Sequence, residues 1–195
     1  QISKKPILLN DLKKIIDCIN NEKETKKKLR DKALILIGFS GAFRRSELVS
    51  IEYEDLEFVD EGLKIFIKKS KTDQLGEGMI KAIPYFENKI FCPVSNLKEW
   101  INFISINKTK NKKIFEMSDR NVALIIKKYS KLAGLNPSNY AGHSLRSGFA
   151  TSTAENGAEE RQIMAMTGHK STQMVRRYIQ ESNLFKNNAL NKINL

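Results

Sequence analysis

Two short segments in the last third of the chain carry side chains suited to chemistry on a phosphate group. The first is His143-Ser-Leu-Arg146, and the second is His169, which is followed nine residues later by Tyr178. A phenol is a poor nucleophile at neutral pH, because its unperturbed pKa is about 10. It becomes useful when cationic donors surround the phosphate that it attacks, and both histidines and the arginine are donors of that type. The question is whether the chain supplies the other parts of such a site.

The spacing of His169 and Tyr178 restricts the structure between them. Nine residues of unbroken helix make two and a half turns, which would place the two side chains on opposite faces. They converge only if His169 lies on a loop and Tyr178 on the helix that follows. Gly168 before the histidine and Ser171-Thr172 after it fit such a break. The alternative is a half-buried tyrosine that packs its ring and leaves its hydroxyl at the surface.

The segment around His143 fits the start of a helix. If Ser144 caps that helix, His143 lies at its positive end and Arg146 on its first turn, a place suited to binding an anion. A single His-x-x-Arg occurs often by chance, so its meaning depends on the other candidate residues. The two histidines and the distant Cys18 and Cys92 have no spacing typical of a zinc site.

A second group of cations lies in the first half of the chain. Arg44 and Arg45 fall at a predicted loop-to-helix junction, where a guanidinium can offer two parallel donors to a phosphate. Glu47 lies three residues beyond Arg44, close enough on a helix to orient it. Periodicity alone does not separate the two arginines. A surface salt bridge at a helix start is the alternative interpretation.

Three lysines, Lys68, Lys69 and Lys71, end the first β-rich run of the sequence. A lysine at a hairpin tip can reach into a groove and donate a proton. The alternative for all three is a charged, solvated turn.

The elements that must position these residues are mostly helical. Apolar periodicity predicts helices from Leu9, over 29–39 and over 44–51, followed by a small antiparallel sheet inserted after these first helices. We therefore predict a mainly α (α+β) fold. The strands are predicted at Leu56–Val59, from Leu63 and from Met79, and the later helices at about 94–106, 119–133, 145–156, 159–166 and 171–180.

Composition indicates an anionic partner and excludes some classes of protein. The 195 residues include 34 basic and 22 acidic ones, giving a net charge of +12, which favours nucleic acid as partner. The alternative explanation of the positive charge is an AT-rich genome, whose codon usage favours lysine. The distant cysteines fit a reduced intracellular compartment, and no signal peptide or apolar run of membrane-spanning length is present. Because the chain opens at Gln1, we expect it to be a fragment of a longer protein.

Taken together and in this order, the motifs resemble the catalytic domain of the tyrosine recombinase (phage-type integrase) family. The resemblance covers nearly the entire chain. In the family pattern an arginine stands three residues before the glutamate, which selects Arg44, and a lysine stands before a small polar residue, which selects Lys71 over Lys69. The matching segments are Gly41-Ala-Phe-Arg44-Arg-Ser-Glu47-Leu, Ser70-Lys71-Thr72, His143-Ser-Leu-Arg146, Thr167-Gly-His169 and Tyr178.

This resemblance implies a mechanism. Tyr178 would attack a scissile DNA phosphate, form a 3′-phosphotyrosyl bond and release a 5′-hydroxyl. Arg44 and Arg146 would neutralise the non-bridging oxygens of the transition state, with His169 as a further donor.

The remaining roles follow from the same resemblance. Lys71 would protonate the leaving 5′-oxygen, and His143 would act as base toward the tyrosine hydroxyl. Glu47 would support the geometry from behind the site. No metal or nucleotide cofactor is expected, because the side chains supply the positive charge and the covalent bond retains the energy of the phosphodiester.

The resemblance also implies an organisation and a setting. Residues 1–182 would be the catalytic domain, and 183–195 a tail that docks on a neighbouring protomer, with the family's N-terminal core-binding domain absent. The expected partner is double-stranded DNA, on which a free monomer would assemble into a tetramer, without a membrane. The expected location is the cytoplasm, in association with the nucleoid, for a protein of bacterial or phage origin, with a role in DNA integration, mobile-element movement, dimer resolution or inversion.

Two other functions remain open from the residues alone. A type IB topoisomerase resembles the family in fold and nucleophile, but a monomer of it would relax supercoils rather than exchange strands. A non-catalytic basic DNA-binding module is the second alternative. The full set of cations argues against it, because binding to the DNA backbone does not require such a set.

Overall fold

The chain folds into helices and one small three-stranded sheet. The computed structural model describes residues 4–68, 78–106, 112–169, 171–185 and 188–192. This confirms the predicted mainly helical fold with a three-stranded antiparallel sheet inserted after the first helices. The elements are α1 (Leu9–Asn20), α2 (Thr25–Ser40), α3 (Arg45–Ser50), β1 (Leu56–Val59), β2 (Gly62–Ile67), β3 (Met79–Pro84), α4 (Pro93–Ile106), α5 (Asp119–Leu132), α6 (Ser144–Glu155), α7 (Glu160–Thr167) and α8 (Thr172–Asn183).

Helix α2 is the centre of the main core. All seven residues of its apolar run, 33–39, are buried, and the helix packs against α1, α4 and α6. Helix α1 is amphipathic instead, burying Leu12, Ile15, Ile16 and Ile19, which recur at the spacing of one helix face. Burial on every side explains why α2 carries an unbroken apolar run. It also fixes the C-terminal end of α2, from which the first arginines follow.

The sheet places one charged residue on its core face. Its strands run in the order β1-β2-β3, and side chains alternate between the two faces of each strand. Leu63 pairs with Ile83 and Ile65 with Lys81, and all four side chains are buried. The hairpin tip between β2 and β3, with the predicted Lys71, lies outside the described residues.

A smaller cluster holds the C-terminal helices together. Ala150 and Ala154 of α6 pack with Ile163 of α7 and Val175 of α8, and all four are buried. The ring of Tyr178 packs against this cluster. The cluster therefore fixes α8, which carries the tyrosine, relative to α6.

Two helix starts differ in detail from the sequence prediction. The prediction that Ser144 caps α6 is wrong, because Ser144 is the first helical residue and His143 occupies the N-cap position. The hydroxyl of Ser144 instead accepts a hydrogen bond from the backbone N–H of Ala141 at 3.0 Å. Arg44 similarly takes the N-cap position of α3. No helix in the described part of the chain is long and apolar enough to cross a membrane.

Candidate active site

Arg146 lies at the centre of the predicted site and is almost completely buried. Only 2% of the residue is exposed, and its Nη1 donates to the carbonyl oxygen of Ala42 at 2.8 Å. Its Nη2 lies 3.2 Å from Nε2 of His169. A guanidinium can only donate, so Nε2 of the histidine is the acceptor and the ring proton lies on Nδ1.

The backbone at Ala42 contributes to this arrangement. Ala42 has φ of 48°, in the left-handed region that residues with a Cβ rarely adopt. This turn directs the Ala42 carbonyl toward Arg146 and leads directly into Phe43 and Arg44. The strained turn at Ala42 therefore links Arg44, two residues further along the chain, to Arg146, which binds the Ala42 carbonyl.

His169 lies on the loop that the sequence predicted. Helix α7 ends at Gly168, whose φ of 66° is readily accessible to glycine, and its N–H donates to the Met164 carbonyl at 2.7 Å. The Nδ1 of His169 then donates to the hydroxyl of Thr167 at 2.9 Å. That hydroxyl donates to the Ile163 carbonyl at 2.8 Å. This relay, together with Arg146, fixes both the ring orientation and the tautomer of His169.

Both histidines are neutral at neutral pH. Burial, followed by the charges of Arg146 and Arg44, lowers the pKa of His169 to about 4. Desolvation of its ring, followed by the charges of the same two arginines, also lowers the pKa of His143. A neutral imidazole can accept a proton, as the role expected of His143 requires.

Arg44 is held by both carboxylate oxygens of Glu47. The Arg44 backbone N–H donates to Oε2 at 2.9 Å, and its Nη1 donates to Oε1 at 2.6 Å. Burial would raise the pKa of Glu47, but the two hydrogen bonds from Arg44 and the charge of Lys81 lower it below its ordinary value. Glu47 is therefore an ionised, buried group that holds Arg44 through two hydrogen bonds.

Arg45 takes a different direction from its neighbour. Its Nη2 lies 3.9 Å from the Asp119 carboxylate of α5, and 42% of its side chain is exposed. The stem of Arg45 lies so close to Gly142 that an added Cβ there would come within 1.8 Å of it. Arg44, rather than Arg45, is the arginine that is paired with the buried carboxylate of the site.

Tyr178 reaches the same group of cations from α8. Its ring is half-buried against the small C-terminal cluster. Burial and the charge of Arg44 lower the pKa of Arg146 to about 10, while the charge of Glu47 and interaction with Tyr178 act in the opposite direction. The tyrosine thus packs its ring, as the alternative interpretation had it, and lies close enough to Arg146 for a tyrosinate there to raise the pKa of the arginine.

Lys81 is a residue of the site that the sequence interpretation missed. It is 1% exposed, and its Nζ donates to the carbonyl oxygens of Gly41 at 2.6 Å and Met166 at 2.5 Å. Burial lowers its pKa to about 7, against an opposite effect from Glu47. One signal could have found it. In the alternating strand Met79–Pro84, Lys81 has the same parity as the buried Ile83.

The lysine at the end of β2 is engaged elsewhere. Lys68 pairs with Glu52 at 3.0 Å, Glu54 at 2.5 Å and Asp55 at 3.1 Å, and these carboxylates raise its pKa. Among the described residues, no group of three or more His, Cys, Asp or Glu side chains could hold a metal ion. The described side chains can therefore bind an anion with arginines and transfer a proton through a neutral imidazole.

Several known proteins have similar sequences. The profile of the Phage integrase family matches residues 6–184. A protein described as an integrase/recombinase xerD homolog from Selenomonas ruminantium is 48% identical, and the alignment covers 99% of this chain and 59% of that protein. Tyrosine recombinase XerA from Pyrococcus horikoshii is 27% identical, with 98% of this chain and 62% of that protein covered. The chain thus spans about three fifths of the length of these relatives.

Two solved structures show the same fold. The XerH site-specific recombinase, bound to its palindromic difH substrate in a post-cleavage complex, superimposes with a TM-score of 0.75 at 20% identity, covering 94% of this chain and 53% of that one. The XerA recombinase crystal structure also has a TM-score of 0.75 at 20% identity, covering 98% and 67%. At this identity the similarity establishes the fold alone.

Proposed function

Because this chain belongs to the phage integrase family, we propose that it is a site-specific recombinase that cuts and rejoins double-stranded DNA through a 3′-phosphotyrosine intermediate. The observation that supports this most directly is the position of Arg146. This buried guanidinium is hydrogen-bonded to His169 and lies close enough to Tyr178 for a tyrosinate there to raise its pKa. Burial of an arginine is costly unless its charge is used, and a phosphate at this place would provide the missing anion.

The proposed reaction exchanges one phosphodiester for another. The Tyr178 oxygen attacks the scissile phosphorus, and the bond from phosphorus to the 5′-oxygen breaks with its electron pair going to that oxygen. The phenolic proton passes to His143, and Lys71 protonates the leaving oxygen. Attack by a 5′-hydroxyl on the phosphotyrosine reverses these steps and rejoins the DNA.

The arginines carry the charge that develops in this reaction. Arg44 and Arg146 would each donate to non-bridging oxygens of the pentacoordinate phosphorus, with Glu47 fixing the direction of Arg44. His169 would add a further donor. Since the number of phosphoester bonds does not change, the exchange needs no nucleotide as a source of energy.

A covalent trap tests the nucleophile. A pool of nicked suicide duplexes with a randomised central sequence is incubated with the protein, and molecules that become covalently attached are recovered and sequenced. The wild type should form an adduct, and Tyr178→Phe should form none while binding the selected duplex about as tightly. Tyr53→Phe is the matched control, because Tyr53 is also half-buried and should retain the adduct. Adduct formation by Tyr178→Phe would contradict the assignment.

We also propose that the protein assembles on DNA, as a tetramer, through the segment 183–195. Within the described part of this segment, Leu184, Phe185 and Leu190 are 63%, 86% and 66% exposed. Apolar side chains at such exposure fit a surface that is covered by another protomer. Deletion of 183–195 should reduce strand exchange and sedimentation of the DNA complex as an oligomer more than it reduces cleavage of a suicide duplex. Equal losses of both activities would contradict the docking role.

A further inference from the structure

We propose that Lys81 is a positioning residue that holds three segments of the active site in register. The segments are the Gly41–Arg44 turn, the turn from α7 to His169, and strand β3, on which Lys81 lies. This inference rests on the proposed function. It concerns a residue that does not touch DNA, because Lys81 is 1% exposed and its ammonium points into the protein.

The hydrogen bonds of Lys81 join the C-terminal ends of two helices. Gly41 is the C-cap residue of α2, and Met166 lies in the last turn of α7. Carbonyl groups at helix C-termini lack partners within the helix and lie at the negative end of the helix dipole. One ammonium that donates to both, at 2.6 and 2.5 Å, satisfies the two carbonyls and connects the two helix ends.

Each bonded carbonyl lies close in sequence to a proposed catalytic group. Gly41 is three residues before Arg44, and Met166 is three residues before His169. Lys81 itself lies on β3. A shift of the ammonium would therefore displace the segments that carry an arginine and a histidine of the site. Displacements of about 1 Å in such groups lower reaction rates by about 100-fold.

A purely structural role would not require a cation here. The Nζ lies 4.7 Å from the centre of the Phe43 ring, and Glu47 is the buried carboxylate that favours the charge. Burial and the charges of Arg146 and Arg44 disfavour the charged form of Lys81. The charge of Lys81 in turn contributes to the low pKa of His169. An apolar side chain would fill this place without that cost. The two carbonyl hydrogen bonds are what the lysine adds.

The first test needs no DNA. Nitrogen-15 NMR of the imidazoles should show a single Nδ1–H tautomer for His169 in the wild type. Lys81→Met should give a mixture of tautomers, because the α7 turn is no longer held. Lys64→Met is the matched control, since Lys64 lies on the neighbouring strand and pairs with the exposed Glu57 at 3.1 Å. An unchanged tautomer and pKa of His169 in Lys81→Met would overturn the proposal.

The second test separates binding from chemistry on the duplex selected by the covalent trap. Lys81→Met should keep its Kd within about twofold while single-turnover cleavage slows about 100-fold, and Lys81→Arg should recover about tenfold of that loss. Cleavage within twofold of the wild type, or a loss confined to Kd, would overturn the proposal. If Lys81→Met does not fold, Lys81→Gln replaces it in both tests with the same outcomes.

A modified substrate distinguishes a positioning residue from a proton donor. When sulfur replaces the bridging 5′-oxygen, the leaving thiolate has a conjugate-acid pKa of about 8.5 and needs no proton donor. The sulfur duplex should restore cleavage to a Lys71 variant but not to Lys81→Met. Restoration in Lys81→Met would make Lys81 the donor and overturn the proposal. If the wild type forms no adduct at all, the proposed function fails, and the NMR test still decides the role of Lys81.

Discussion

Glu47→Gln should destabilise the DNA-free protein, because the substitution removes the negative charge that faces Arg44 and Lys81. The carboxylate is 4% exposed and accepts the Arg44 backbone N–H at 2.9 Å and the Arg44 side chain at 2.6 Å. It also faces the charge of Lys81. The amide of glutamine keeps the shape but carries no charge, so Arg44 and Lys81 lose the buried negative charge of Glu47.

The size of the effect follows from burial. Removing one member of a buried ion pair costs about 3–5 kcal/mol. The Arg44 side chain is still 22% exposed, so we expect the lower end, about 3 kcal/mol, or a fall in Tm of roughly 6–12 °C for a chain of this size. The pKa of Glu47 lies below its ordinary 4.5, so this stabilisation is present above pH 4.5 and is lost as pH falls through the lowered value.

Calorimetric melting at a series of pH values measures this difference. The wild type and Glu47→Gln should differ fully at pH 7 and converge below pH 4.5. Glu57→Gln is the control, because Glu57 forms an exposed pair with Lys64 and should change stability by about 0–1 kcal/mol. A melting temperature of Glu47→Gln within about 2 °C of the wild type at pH 7 would refute the reasoning, as would a gap that widens on acidification.

Three further outcomes are expected. Arg44→Ala should slow single-turnover cleavage of the selected duplex by about 100- to 1000-fold, whereas Arg45→Ala, whose side chain is directed to Asp119, should change it by less than about tenfold. Thr167→Val removes the acceptor for Nδ1 of His169 and should slow cleavage about tenfold without weakening DNA binding, while Thr167→Ser should behave as the wild type. Raising salt should weaken DNA binding, with log K falling by about 0.9 per phosphate contact for each tenfold increase in salt, as measured by fluorescence anisotropy; a salt-independent Kd would contradict an electrostatic interface.

The sequence predicted the parts of the site that depend on local signals. The break before Tyr178 follows from a glycine that ends one helix and a serine that caps the next. The hydroxyl of Ser171 accepts the Gln173 N–H at 3.3 Å, and Gly168 adopts the left-handed conformation. The strands followed from the alternation of apolar residues. Each of these features is determined within a few residues of chain.

The position of Lys81 could not be predicted in the same way. Alternation placed it on the core face of β3, but a buried lysine is reasonable only when its partners are known. Those partners, Gly41 and Met166, lie 40 and 85 residues away in the sequence. The wrong prediction for Ser144 has a related cause, since its hydroxyl bonds the preceding loop at Ala141 instead of the helix. The local sequence pattern does not specify whether a serine hydroxyl accepts a hydrogen bond from the N–H of the preceding loop or from that of the following helix.

The DNA-free site already satisfies its cations with groups of the protein. Arg146 donates to the Ala42 carbonyl and to Nε2 of His169, and Arg44 donates to Glu47. For His169 to donate to a phosphate oxygen, its Nε2 must carry a proton, so Arg146 must first turn from the imidazole to the phosphate. A phosphate brings a negative charge beside the ring and raises the pKa of His169 from about 4. In the proposed reaction, the arrival of DNA would therefore remove the acceptor role of His169 and favour its protonation in one event, which would couple the donor to the presence of the substrate.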